Sequence, residues 1–314
     1  MDGVLNVLKP PGMTSHDVVY FIRKVSGVKK TGHTGTLDPG AAGVLVVCVG
    51  RATRLARFLP SDEKEYRAEM TLGVTTSTGD SFGEIHARRD ASAITESRLR
   101  EALKRFTGRV EQVPPMTSAV RSQGKKLYEL ARAGITVERP ARVVHIASLE
   151  FIRGSGWGSG EPKALIHVIC SKGTYIRTLC EDIGNHLGCG AHMSFLVRTR
   201  AGAFNIARSR TLEEIQGAAA PGGELRNLLV TMDDALGVYP AVTVKMGATT
   251  AVSSGANLYL PGVEAAPENL PEGTLVRLQG TEGLLAVAEL RLDPENQGRV
   301  YFKPVCVLAQ PGIK

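Results

Sequence analysis

The residue in this chain best placed for chemistry is Asp38. It stands in GHTGTLDPGAAGVLVVCVGRATR, residues 32–54, inside a glycine-rich turn that leads into an apolar run. Asp-Pro-Gly is common turn chemistry, in which the side chain satisfies its own backbone. Gly35 and Gly40 also have the G-x-x-x-x-G spacing of a phosphate cradle, but Ala41 and Ala42 occupy the positions where such a loop needs Lys and Ser or Thr. What remains is a structural turn or a carboxylate kept for reaction. The five cysteines, Cys48, Cys170, Cys180, Cys189 and Cys306, include no C-x-x-C pair, so neither a zinc site nor a dithiol redox motif is indicated. No dinucleotide fingerprint is present either.

Elements of definite type must position that turn. GVLNVLK reads as a strand ending in a Pro-Pro-Gly turn, which puts Lys9 at a strand end. The following helix carries Val18, Phe21, Ile22 and Val25 on one face. The run Val44–Gly50 is short, β-branched and closed by glycine, as in a strand buried on both faces. Tyr66, Ala68, Met70 and Leu72 alternate with polar residues, so Tyr66 faces the apolar side of a half-buried strand. Thr95 caps a helix through Leu99, Ala102, Leu103 and Phe106, with Gly108 just beyond it. Residues 114–134 couple a Pro-Pro turn to an amphipathic helix bearing Arg121, Lys125, Lys126 and Arg132, a basic arm. Two strands then flank the loop RGSGWGSGEP, the helix TYIRTLCEDIGNHLG follows, and Thr211 with Glu214 forms a capping box. From Tyr239 the texture changes to short strands with no clear helix longer than two turns, which places a boundary near 237–240.

The 314 residues fit one large domain and a smaller one. A hydrophobic content of 43% supports a sizeable core, and 38 Lys+Arg against 31 Asp+Glu leave +7, which favours a polyanionic partner. An odd number of cysteines reads as reduced thiols in a cytoplasm. The N-terminus lacks a signal-peptide pattern, and no run of about 18 apolar residues occurs, so a cytoplasmic protein without membrane attachment is expected.

GHTGTLDPGAAGVL resembles the signature of the TruB family of tRNA pseudouridine-55 synthases. LNVLKPPGMTSHDVV, KEYRAEMTLGVTTSTGDSFGE, PPMTSAVRSQGKKLYELARAG and CSKGTYIRTLCEDIGNHLGCGAH are similar to the family's other blocks, in order and spacing. The resemblance implies an α+β pseudouridine synthase fold, with a mixed, largely antiparallel central sheet flanked by helices. The catalytic domain would span 1–238, including the thumb-like arm 114–134, and a PUA-like RNA-binding domain 241–312. It implies a cofactor-free isomerase that everts uridine 55 from the T-arm of tRNA, breaks its glycosidic bond and rejoins the base through C5. The enzyme would work as a monomer without an obligate protein partner. A guide-RNA-dependent rRNA synthase and a non-catalytic tRNA chaperone are the alternatives. The start of the chain close to its first motif, without a long basic tail, favours the independent type.

By the same resemblance Asp38 is the catalytic carboxylate, ionised so that it can act as nucleophile or base. A carboxylate in a dry pocket tends to protonate, and Arg177 is the matching cation beside it. Tyr66 is the ring that stacks on the everted uracil and helps remove the C5 proton. Tyr175 and Leu196 complete the pocket wall, His33 helps the base leave its stack, and Lys9 supports the site. Thr117 and Val197 depart from the aromatic and the basic residue common at their positions. Both fall in expected RNA-contact regions, away from the catalytic turn.

Overall fold

The computed structural model describes residues 1–59, 63–118, 120–122, 124–293 and 299–309. Of the arm expected over 114–134, Ala119, Gln123 and the side chains of Arg121, Ser122 and Arg132 lie outside that set. So do 294–298 and 310–312 of the region expected over 241–312.

The chain opens with β1 (Gly3–Lys9), α1 (Ser15–Ser26), β2 (Thr31–His33) and β3 (Ala42–Val49). Helix α1 starts where a capping box forms between Thr14 and Asp17, and stops at Gly27, whose φ of 67° is left-handed. Strand β3 is a parting plane between two cores. Val44, Val46 and Cys48 pack on one side with Leu55 and Phe204, while Leu45, Val47 and Val49 pack on the other with Val18 and Ile22 of α1. A strand with no polar face must be covered twice, which is why its sequence shows no alternation.

Next come β4 (Glu63–Leu72), the small hairpin β5 (Val74–Thr76) and β6 (Ile85–Arg88), α2 (Glu96–Arg105) and β7 (Gly108–Gln112). The arm holds a hairpin of β8 (Arg121–Ser122) and β9 (Lys125–Lys126), then the short α3 (Leu127–Arg132), less helix than its sequence suggests. Strands β10 (Arg142–Ser155) and β11 (Lys163–Ser171) form a long hairpin. Its pairing extends into the stretch expected to be loop, with Arg153 opposite Leu165. Helix α4 (Ile176–Leu187), β12 (Ala191–Ala201), β13 (Phe204–Asn205), α5 (Leu212–Ala219) and α6 (Met232–Ala235) complete this part.

The main sheet runs β1-β3-β12-β4-β11-β10-β7, with β2 on β3 and β13 on β12. Among the described residues every pairing in this sheet is antiparallel except β3 with β12, so the sheet is mixed. That parallel contact, Val197 opposite Ala42 and Arg198 opposite Gly43, brings the middle of β12 against the start of β3. Leu99 of α2 and Leu179 and Ile183 of α4 cover Met70 and Ile166 in the largest core.

A second sheet begins at β14 (Ala241–Val244) and continues, after α7 (Met246–Ser253), with β15 (Leu258–Tyr259), β16 (Val263–Ala265), β17 (Leu275–Gly280), β18 (Gly283–Asp293) and β19 (Arg299–Val307). Helix α7 was not expected. MGATTAVS carries a glycine and two threonines, buries fully only Val252, and owes its helix to packing on β18 and β19 rather than to propensity. Arg51, Arg54 and Arg57 of the first part donate to the carbonyls of Leu308, Val307 and Val305, and Val287 and Leu308 join the core that contains Val44.

Candidate functional site

The turn that carries Asp38, between β2 and β3, is fixed from every side. The Ala41 amide donates to the Asp38 carbonyl at 3.0 Å. On one flank the Ser15 hydroxyl, at the start of α1, donates to the Leu37 carbonyl at 3.0 Å and accepts from the Leu37 amide at 2.9 Å. On the other flank the Lys9 ammonium donates to the carbonyls of Pro10, Pro39 and Ala41 at 2.9, 3.2 and 2.6 Å. From β12, the fully buried Arg198 donates to the carbonyls of Gly35, Thr36 and Val44. Two glycines allow the close approaches. A Cβ at Gly43, where φ is 110°, would meet the Arg198 carbonyl at 2.2 Å, and one at Gly40 would meet the Phe82 ring at 2.0 Å. With the carbonyls of Gly35, Thr36, Leu37, Asp38, Pro39 and Ala41 all bonded, the turn holds the Asp38 side chain in place.

That side chain meets Arg177, in the first turn of α4, whose Nε lies 3.0 Å from Asp38 Oδ2 and 3.8 Å from Asp80 Oδ2. The other guanidinium donors are also engaged. Nη1 donates to the Thr78 carbonyl at 2.9 Å and to the Thr117 hydroxyl at 2.5 Å, and Nη2 donates to the Thr117 carbonyl at 3.3 Å. Burial pushes the Asp38 carboxyl above its ordinary value; Arg177 pulls it down and Asp80 pushes it up, and the balance stays raised. A raised pKa keeps the proton on to higher pH. Any activity that needs the carboxylate should therefore rise with pH through a midpoint above the usual aspartate value near 3.9. A rate profile that stays flat down to that value would contradict this.

Asp38 and Arg177 open onto a cavity of about 770 Å³. Its wall includes Tyr66 and Lys64 from β4, Leu196 from β12, Tyr175 and Ile176 at the start of α4, and His16 from α1. Thr117, Ser118, Lys126, Tyr128 and Ala131 of the arm line the same space. Tyr66 is 6% exposed and sits directly opposite Arg198 across the β4–β12 pairing. Burial raises its phenol above the ordinary value, against the pull of Arg198. At neutral pH the ring is a protonated phenol, suited to stacking and to donating a hydrogen bond rather than to taking a proton.

The structure thus gathers Asp38, Arg177, Tyr66, Tyr175 and Leu196 around one space. Two other sequence-predicted residues are placed differently. Lys9, expected to support the site, is absent from the cavity wall and fully buried behind the turn, where three N–H donors meet three carbonyls, so it makes no substrate contact from there. His33 stands one layer back, its ring edge-on to His16 at 5.4 Å between centroids, and it is His16 that reaches the cavity. Burial, with smaller contributions from His16 and Arg198, pushes the His33 imidazole down to about 4, so it is neutral. Thr117, read as an RNA-contact position, lines the cavity and accepts from Arg177.

Sequence reasoning missed Arg198, Asp80 and Ser15. Arg198 was within reach, because it stands two residues from Leu196 on a strand, on the same face. Asp80 and Ser15 gave no local signal, since their partners lie about a hundred and about twenty residues away in the chain.

Lys9 carries a linkage that can be measured. Burial lowers its pKa to about 8, outweighing the attraction of Asp38. Between that value and the ordinary one near 10.4 the unfolded chain binds more protons than the folded one, so stability contributed by this residue rises with pH through that window. Relative to Lys9→Met, the protein should gain about 2 to 3 kcal/mol between pH 8 and 10.5, read from urea unfolding. Parallel curves for the two proteins would show that Lys9 is not desolvated.

Comparison with known proteins adds three matches in sequence. Residues 23–176 match the TruB family pseudouridylate synthase N-terminal domain, 177–237 the tRNA pseudouridylate synthase B C-terminal domain, and 240–298 the PUA domain. The tRNA pseudouridine synthase B of Pelotomaculum thermopropionicum is 62% identical over 310 residues, covering 99% of this chain and 98% of that protein. The Moorella thermoacetica protein of the same name is 48% identical over 308 residues, covering 98% and 99%. Among solved structures, an H/ACA RNP bound to a substrate RNA containing 2′-deoxyuridine is similar with a TM-score of 0.74 and 28% identity, over 98% of this chain and 86% of that one. A Cbf5-Nop10-Gar1 complex matches with a TM-score of 0.74 and 30% identity, over 98% and 85%.

Proposed function

The chain belongs to the TruB family of pseudouridine synthases, isomerases that act on tRNA, and we propose that it converts uridine 55 in the T-arm of tRNA to pseudouridine. The observation that carries this reading is the Asp38–Arg177 pair, 3.0 Å apart beside a cavity walled by Tyr66. A uridine inside a folded RNA arm cannot reach a cleft of this kind unless it is everted, which costs a few kcal/mol. Stacking on an aromatic ring returns about 1 to 3 kcal/mol per base. Asp38 then initiates the exchange. The N1–C1′ bond breaks, the uracil turns in the cavity, and C1′ rejoins it at C5; the C5 proton leaves and N1 takes one up. Atoms and electrons balance within the nucleotide, so no redox partner enters. Arg177 keeps Asp38 ionised and aimed.

Residues 1–238 would do this chemistry, in the cytoplasm and without a protein partner. The arm at 114–134 and the region 241–312 supply phosphate contacts. The guide-dependent alternative draws on the likeness to the H/ACA and Cbf5 structures; the full-length identity to tRNA enzymes favours the independent reading.

Release of tritium from C5-labelled uridine in an unmodified tRNA transcript, with the purified chain alone, tests the proposal. Release is expected; none without an added guide RNA would move the assignment to the guide-dependent branch. Tyr66→Ala is expected to cut turnover at saturating tRNA about 100-fold and change affinity less than about fivefold, because lost stacking is offset by the eversion no longer made. Loss confined to affinity would remove Tyr66 from the target base.

A further inference from the structure

The start of the arm is fastened to the start of α4 at two places. The Gln112 side chain, buried at the end of β7, donates to the Tyr175 carbonyl at 3.2 Å and accepts from the Tyr175 amide at 3.0 Å. Five residues on, Thr117 takes the two Arg177 donors that do not face Asp38, one on its hydroxyl and one on its carbonyl. Between these points the chain is held by Arg139, whose Nη1 donates to the Pro114 carbonyl at 2.9 Å. Beyond Thr117, Lys126, Tyr128 and Ala131 form the far wall of the cavity onto which Asp38 opens.

We propose that Thr117 is a positioning residue for the isomerisation, its hydroxyl and carbonyl holding the Arg177 guanidinium in the orientation that faces Asp38. The inference rests on the reading of Asp38 and Arg177 given above. A guanidinium is a rigid planar fork, so fixing its Nη1 and Nη2 edge fixes the direction of Nε. Nη1 is shared between Thr78, on the loop that also carries Asp80, and Thr117 on the arm. With both edges held, Nε has one orientation, toward Asp38. Without the Thr117 hydroxyl, Nη1 keeps only the Thr78 contact, and Asp80, 3.8 Å from Nε, competes with Asp38 for the guanidinium. The loss would fall on the aim of Arg177, and so on the rate rather than on binding.

The test compares Thr117→Val and Thr117→Ser with the wild type by single-turnover tritium release at saturating tRNA, with tRNA affinity and melting temperature measured on each. Valine keeps the shape and the backbone carbonyl but removes the hydroxyl acceptor; serine restores it. The expected result is a rate about tenfold lower for valine, within twofold of wild type for serine, with affinity within twofold for both. Equal rates for the two variants, at any level, or a valine effect confined to affinity, would overturn the proposal. A wild type without tritium release would instead overturn the functional reading, and that outcome is visible before any variant is made.

Discussion

Asp38→Asn is expected to lower tritium release by about 10⁴-fold or more while leaving tRNA binding within about threefold of wild type. Asparagine fills the same volume, and its amide oxygen can still accept from Arg177 Nε. None of the bonds that fix the turn uses the Asp38 carboxylate: they run through the carbonyls of Gly35, Thr36, Leu37, Pro39 and Ala41. The fold around the turn should therefore persist, with a melting temperature within a few degrees. What disappears is the negative charge and the nucleophilic oxygen. RNA binding should persist, since removing an anion does not weaken attraction for RNA. Substantial turnover in Asp38→Asn would show that the carboxylate is a turn residue only.

Arg177→Met should have the second largest effect, about 10³-fold on the rate at neutral pH, and it has a signature of its own. Arg177 is the largest influence holding the raised Asp38 pKa down. Without it, Asp38 faces Asp80 with only the smaller pull of Lys9 to oppose burial, and its pKa must climb further. The acid limb of the residual rate should move to higher pH, so that part of the loss is recovered in alkaline buffer. Arg177→Lys separates charge from geometry. It keeps a cation near Asp38 but lacks the planar fork that also engages Thr78 and Thr117, so it should retain the acid limb and still lose rate. The Met variant should also unfold more easily, by about 2 kcal/mol. That is less than a fully buried pair would cost, because the Asp38 side chain keeps 34% of its surface exposed. An unmoved acid limb in Arg177→Met would mean that Arg177 does not set the state of Asp38.

Much of this arrangement was legible in the residues because local rules and the fold agree. The valine-rich run of β3, the alternation through Tyr66 in β4, and the caps at Thr95 and Thr211 each follow from a period or a capping pattern confined to a few positions. The site was legible in part. Asp38 and Arg177 could be paired only through resemblance, since nothing in the spacing of two residues 139 apart says that they touch. The two residues found off the cavity wall share one feature. Lys9 and His33 are polar residues beside the turn, and sequence alone puts polar residues on the accessible side. Here Lys9 points inward to three carbonyls, and His33 is half-buried against the ring of His16, which reaches the cavity. Arg198 is also a buried cation that serves backbone carbonyls; the strand period puts it on the face of Leu196, but nothing in the sequence names the carbonyls as its partners.

The most direct check is to find where the product forms. An unmodified tRNA transcript would be incubated with the purified chain alone and its pseudouridines located by carbodiimide labelling and primer extension, alongside the Asp38→Asn variant. One stop reporting position 55 in the T-arm is expected with the wild type and none with the variant. Pseudouridine at other positions only, or at position 55 with the Asp38→Asn protein as well, would contradict an Asp38-centred isomerase of the T-arm.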